Sequence, residues 1–159
     1  MANTEEHAAQ SSPHAFRRIL AAVDDSSRAL DVVTTAAEIA RIGGGALRLY
    51  HAVSVPQEFP PAAAMPTGDA LPEYMRKHAA ARLDSLAAAV RDVPCETFID
   101  ESHRAWRAIL DAADAYDADL IVLGGHRHER LERMLGTTAA NVVNFAARNV
   151  LVVRSRAKA

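Results

Sequence analysis

Lysine is nearly missing from this 159-residue chain: Lys77 and Lys158 are the only two, although Lys and Arg together number 18. Arginine therefore carries almost all the basic charge, a compositional bias more than a functional sign. Cysteine is scarcer still. Cys95 stands alone, which excludes an internal disulfide and suits a reducing compartment. Excess charge is absent too. A net charge of −2 gives no electrostatic footing for nucleic acid or an anionic membrane. No apolar run approaches the roughly 18 residues of a membrane span. The opening stretch MANTEEHAAQSSPHAF has two early glutamates and no apolar signal core. No self-similarity at a period of about 20–50 residues is visible, which excludes a repeat array. The expectation is a cytoplasmic protein with neither membrane nor nucleic acid as partner.

What is present is apolar. Half of the residues are hydrophobic, enough for one domain with a proper core. Residues 1–15 read as a disordered tail, 16–155 as a single domain and 156–159 as a short C-terminal tail.

Arg18 to Val23 is a short apolar run that stops at Asp24-Asp25-Ser26-Ser27. Such a run, bounded by turn residues, predicts a strand buried on both faces. Ser26 or Ser27 is expected to cap a helix running to about Ile42, with Val33, Ala36, Ala37 and Ala40 inward. Gly43-Gly44-Gly45 ends it. Ala46 to Val53 predicts a second strand. The Pro-rich stretch from Ser54 to Leu71 is long for a connector, which points to a lid or to disorder. A helix is expected from about Pro72 to Arg91, with Met75, Ala79, Leu83, Leu86 and Val90 inward. Pro94 to Asp100 predicts an edge strand in which Cys95, Thr97 and Ile99 alternate. Ser102 is expected to cap a helix carrying Trp106, Ile109, Leu110 and Ala113. A strand at Leu120–Leu123, a helix with Val142, Phe145 and Ala146, and a strand at Val150–Val153 complete the pattern. Strands that alternate with helices predict an α/β fold, a doubly wound five-stranded parallel sheet.

The most informative stretch is Ile121-Val122-Leu123-Gly124-Gly125-His126-Arg127-His128, followed by Leu135-Gly136-Thr137-Thr138-Ala139. It reads as buried strand, loop and helix N-terminus, where unpaired N–H groups and the positive end of a helix dipole suit an anion such as phosphate. Gly124 is expected to turn the chain off the strand, and Gly136 to admit a phosphate close to the backbone. Thr137 and Thr138 can cap the helix or donate hydroxyls to a ligand. In a strand order of 3-2-1-4-5 the winding reverses between the first and fourth strands, and ligands bind at such points. Asp24 and Gly124 would then face each other, the carboxylate toward a ribose hydroxyl or adenine amino group and the glycine–threonine turn toward phosphates.

With ILAAVDDSSRAL, HAV, ADLIVLGGHR, LGTTA and NVLVVR in view, the chain from about Phe16 to Arg154 resembles the universal stress protein family. The resemblance implies the adenine nucleotide alpha hydrolase-like fold and a stress-response regulator that binds ATP or AMP, with Mg²⁺ accompanying ATP. The family's nucleotide-binding pattern is a glycine, two residues, a glycine, nine residues, then glycine and Ser or Thr. Gly124 fits the first glycine, but Arg127 occupies the place of the second, and only eight residues separate Arg127 from Gly136. A register starting at Gly125 puts ten residues before Gly136. That is similar to a shorter-loop branch whose members also bind nucleotide. By resemblance, Asp24 lies near adenosine, and Ala22 and Val53 flank adenine. Gly124, His126 and Arg127 lie beside ribose and phosphates, and Gly136, Thr137 and Thr138 form the phosphate turn. The last strand matches an edge that pairs in family dimers.

That strand is also an apolar, β-branched edge without proline or inward charge. Self-pairing through Val150 and Val152 would cover it. Other constellations carry less. His126 and His128 are too few for a metal site. Asp24-Asp25 reads as a turn more readily than as a Mg²⁺ site. His51 reads as a buried, hydrogen-bonded histidine, Cys95 as a packed thiol and Trp106 as core. No nucleophile–base pair stands out, so slow ATP hydrolysis is the most the residues allow. A receiver domain would share the acidic pair but wants a lysine ending the last strand, and neither lysine lies there. The alternative within the family is a dimeric interaction module that binds no nucleotide and acts on a protein partner.

Overall fold

The computed structural model describes residues 16–54, 70–125 and 135–154. The elements run β1 Arg18–Ala22, α1 Ala29–Gly43, β2 Ala46–Val53, α2 Ala70–Ala87, β3 Cys95–Glu101, α3 Ala105–Tyr116, β4 Leu120–Gly124, α4 Thr137–Phe145 and β5 Asn149–Val153. All pairings are parallel and the strand order is β3-β2-β1-β4-β5, as the alternating pattern predicts. Parallel strands need crossovers, and each crossover helix covers a face of the sheet.

The two faces form two cores. Ile19, Ala21, Leu47, Leu49 and Val122 point toward α1 and α2, where Val32, Val33, Ala36 and Leu83 meet them. Leu20, Tyr50, Ile121 and Leu123 point to the other side, where Ile109, Ala113 and Val142 pack. β1 and β4, at the centre, are buried on both sides, which explains their unbroken apolar sequences. β3, at one edge, keeps most of its side chains exposed. The Pro94 carbonyl accepts the Leu47 N–H at 2.9 Å, so the proline sits at the strand entrance, where its missing donor costs nothing.

The glycine triplet does more than stop α1. Gly44 is left-handed, with φ at 62°. Gly45 lies against the strand entering the sheet, where an added Cβ would meet the Arg17 carbonyl oxygen at 2.6 Å. The Ala46 N–H donates to that same oxygen at 2.8 Å, so this close approach starts the β1–β2 ladder. On the other side of β1, the Asp119 carboxylate accepts the N–H groups of Arg17 and Arg18 at 2.8 and 3.1 Å.

Several boundaries differ from expectation. Neither Ser26 nor Ser27 caps α1. The N-cap is Arg28, with no side-chain cap, because Ser26 is spent in the preceding turn. Ser102 likewise accepts the Arg104 N–H at 3.1 Å while Arg104 holds the α3 N-cap position. α2 ends at Ala87 rather than Arg91. Phe145 is not inward but 63% exposed, since α4 ends there and its ring stacks on Trp106 at 5.3 Å. Trp106 itself is only partly buried. The expected lid between Ser54 and Leu71 falls almost wholly outside the described residues.

Gly45→Ala should destabilise the fold by about 1–3 kcal/mol, because backbone rather than a flexible side chain opposes the new methyl. Urea unfolding followed by circular dichroism measures it, with Gly44→Ala as the comparison for left-handed strain alone.

Candidate functional site

The winding reverses between β1 and β4, and a cleft of about 540 Å³ opens at their C-terminal ends. β1 and its loop contribute Ala22, Val23, Asp24, Ser26 and Arg28, while β2 contributes Tyr50, His51 and Ala52. Leu123, Gly124 and Gly125 close the opposite wall, with Gly136, Thr137, Thr138 and Ala139 at the start of α4. Six of the residues singled out in the sequence thus line one space: Ala22, Asp24, Gly124, Gly136, Thr137 and Thr138. Val53 does not. It is buried at the β2 terminus, its carbonyl accepting the Ser102 N–H at 3.0 Å, and Ala52 takes the place at the wall. His126, Arg127 and His128 lie outside the described residues.

Asp24 organises its loop. Its Oδ1 accepts the Ser26 N–H at 3.0 Å and the Ser26 hydroxyl at 2.6 Å, an Asx turn that carries the chain from β1 into α1. Arg82 of α2 reaches over and donates to the Ser26 carbonyl at 2.7 Å. Its Nε lies 3.7 Å from Asp25. His51 is buried, as expected, and its Nδ1–H donates to the Val23 carbonyl at 2.8 Å. That bond leaves Nε2 as the acceptor of the neutral ring, 4.0 Å from Asp25.

The opposite wall works differently. Gly124 is still a strand residue, paired with Val153, and the expected sharp turn does not occur there. Gly125 is the constrained one: its N–H donates to the Val153 carbonyl at 3.0 Å, and a Cβ would stand 3.1 Å from Val152. α4 begins at an N-cap glycine, Gly136, and no side chain caps it. Neither threonine hydroxyl closes the helix end. Among the described residues, the Thr137, Thr138 and Ala139 N–H groups have no backbone acceptor, whereas Ala140 donates to the Gly136 carbonyl at 2.9 Å. These groups and the helix dipole give this wall the chemistry that suits an anion.

The cleft floor holds one buried polar anomaly. Tyr50 is fully buried and stacks on Phe98, yet its hydroxyl has no partner in hydrogen-bonding geometry. Burial raises its pKa well above the usual 10.0, and the Asp100 and Asp111 carboxylates push the same way. Sequence reasoning missed Tyr50, as it missed Arg28. Arg28 stands within ILAAVDDSSRAL without a role of its own, and Tyr50 looks like any strand residue. A cation where a helix start favours acids was the available signal for Arg28.

For metal, the described lining offers a single carboxylate, Asp24. No group of three or more His, Cys, Asp or Glu is placed to cage an ion among the described residues. One carboxylate fits a Mg²⁺ ion that arrives on a polyphosphate, since Mg²⁺ takes few protein ligands.

A doubly wound parallel α/β sheet with its cleft at the switch point defines the class of protein. The particular family follows from sequence: the universal stress protein family model matches residues 15–154, and the chain belongs to that family. Universal stress protein A homolog 1 of Coxiella burnetii is 30% identical over 139 residues, covering 87% of this chain and 96% of that protein. The Archaeoglobus fulgidus universal stress protein in complex with dAMP is 26% identical with a TM-score of 0.62, covering 87% of this chain and 98% of its own. A universal stress protein in complex with cAMP is 25% identical with a TM-score of 0.63, covering 87% and 97%.

Tyr50→Phe should leave stability unchanged or raise it by about 1 kcal/mol at neutral pH, since the Asp100 carboxylate beside the hydroxyl does not meet it in hydrogen-bonding geometry. Its pH dependence has a definite sign. A folded-state pKa above the unfolded value favours the neutral phenol in the fold, so that contribution is complete below pH 10.0 and fades as pH rises above it. Urea midpoints measured from neutral pH into that alkaline range should fall less for Tyr50→Phe than for the parent chain.

Proposed function

We propose that the chain is a cytoplasmic, adenine-nucleotide-binding regulator of the stress response that acts as a homodimer on a protein partner. The observation that carries this reading is the uncapped start of α4 at Gly136, whose open N–H groups border the cleft. Phosphates belong on that wall. Adenosine belongs on the other, over the apolar surface of Ala22, Val23, Ala52 and Ile109. Relatives with dAMP and cAMP support adenine as the base. ATP or AMP is the ligand, with Mg²⁺ beside Asp24 when it is ATP. By the family resemblance, His126 and Arg127 are further candidates for contact with ribose and phosphates.

Gly136 has φ at −62°, a value open to any residue, so its lack of a side chain is what matters. Calorimetric titration should show adenine nucleotide binding, and Gly136→Val should abolish it by filling the phosphate's place while the melting temperature of the free protein stays within a few degrees. Absence of heat and of thermal shift at millimolar ATP would favour the interaction module that binds no nucleotide.

The dimer rests on β5. It pairs with β4 on one side, and among the described residues its other edge carries no strand. Val150, Leu151, Val152 and Val153 stay only partly buried. Pairing with a second copy through Val150 and Val152 would cover them. Sedimentation at micromolar concentration should give a dimer mass, and Val152→Lys should return it to a monomer.

A further inference from the structure

The described lining of the cleft holds one cation to which neither the sequence reading nor the family pattern gives a role. Arg28 is the only Lys or Arg among the described lining residues, and its guanidinium makes no ion pair or hydrogen bond with another described residue. Arg82, beside the same turn, behaves otherwise and holds the Ser26 carbonyl at 2.7 Å.

Its place in α1 sharpens the point. Arg28 is the N-cap residue, where the helix dipole favours a negative group and disfavours a cation. The position therefore works against helix stability, and such local violations mark sites of function. α1 also satisfies most of its own first amides from within the chain. The Ser26 hydroxyl accepts the Arg28 N–H and the Ser26 carbonyl accepts the Ala29 N–H, each at 3.3 Å. α4, across the cleft, has the opposite arrangement, with open N–H groups and no cation. Among the described residues the two walls are complementary: donors without a charge on one, a charge without a partner on the other.

We propose that Arg28 binds the phosphate chain of the nucleotide from the wall opposite α4 and sets the site's preference for phosphorylated over unphosphorylated ligands. This rests on the nucleotide reading of the cleft. An arginine fork matches phosphate oxygens in two-point geometry, and its charge acts through a partly enclosed space. A chain of two or three phosphates spans both walls better than one does, so the contribution of Arg28 grows from AMP to ATP.

The test is titration of the full chain and of Arg28→Ala and Arg28→Lys with adenosine, AMP, ATP and inorganic tripolyphosphate, each by calorimetry. Arg28→Ala should weaken ATP about tenfold and leave adenosine within about twofold. Arg28→Lys should keep part of the ATP affinity and lose the two-point geometry. The melting temperature of free Arg28→Ala should be unchanged or raised, because a cation has left a helix N-terminus. Equal losses for adenosine and ATP, an undiminished ATP affinity, or a lowered melting temperature would overturn the proposal. If the parent chain binds tripolyphosphate, Arg28→Ala loses it and adenosine and ATP are both refused, Arg28 keeps its role and the adenine reading falls. If none of the four ligands binds, both fall.

Discussion

The structure depends on the burial of β1 and β4 on both faces. Two central strands without a polar face need helices above and below, and a parallel connection supplies them. Winding outward from β1 in one direction gives β2 and β3, and in the other β4 and β5. The helices must diverge where the direction reverses, and the cleft is the space they leave. Its location is thus a by-product of packing. Its chemistry is not, for it comes from the loops that leave β1 and β4.

Those loops solve the same local problem in opposite ways. The chain leaving β1 closes on itself: Asp24 binds Ser26, Ser26 satisfies the start of α1, and Arg82 clamps the turn from α2. At the start of α4 the N-cap is a glycine with no side chain to offer. One wall is internally satisfied and rigid, and the other is incomplete. Incompleteness at a helix start has a cost in the free protein that a bound anion offsets, which couples ligand binding to stability.

The fold was legible because its strands are apolar runs of the right length. Ile19–Ala22 and Leu120–Leu123 are hydrophobic throughout, and the intervening helical stretches leave only parallel connections. The cleft residues that belong to the chain's turns were legible too: Asp24, Gly124, Gly136, Thr137 and Thr138 all punctuate the sequence. Helix starts were misread because serine serves caps and turns equally, and only coordinates show that Ser26 and Ser102 serve turns here. Gly124 was given a turn it does not make, and the crowded position is Gly125, since adjacent glycines look alike until neighbours such as Val152 are known. Tyr50, Ala105 and Ile109 were invisible as site residues because they meet the cleft only through tertiary packing.

The two rims of the sheet have unlike chemistry. β3 presents Glu96, Asp100 and Glu101 among mostly exposed side chains, whereas β5 is Asn149 followed by four apolar residues. A sheet with two adhesive rims can recruit copies end on end and grow into a filament. On β3, Glu96 and Glu101 are held in ion pairs with Arg48 and Arg76, and Phe98 is the one large apolar side chain left well exposed. A strand joining that rim would meet charge that is already satisfied and little apolar surface. Filament growth needs both rims to be adhesive, and this sheet offers an apolar face at one rim only. The charge gathered on β3 thereby works against open-ended stacking of the sheet, whatever covers β5.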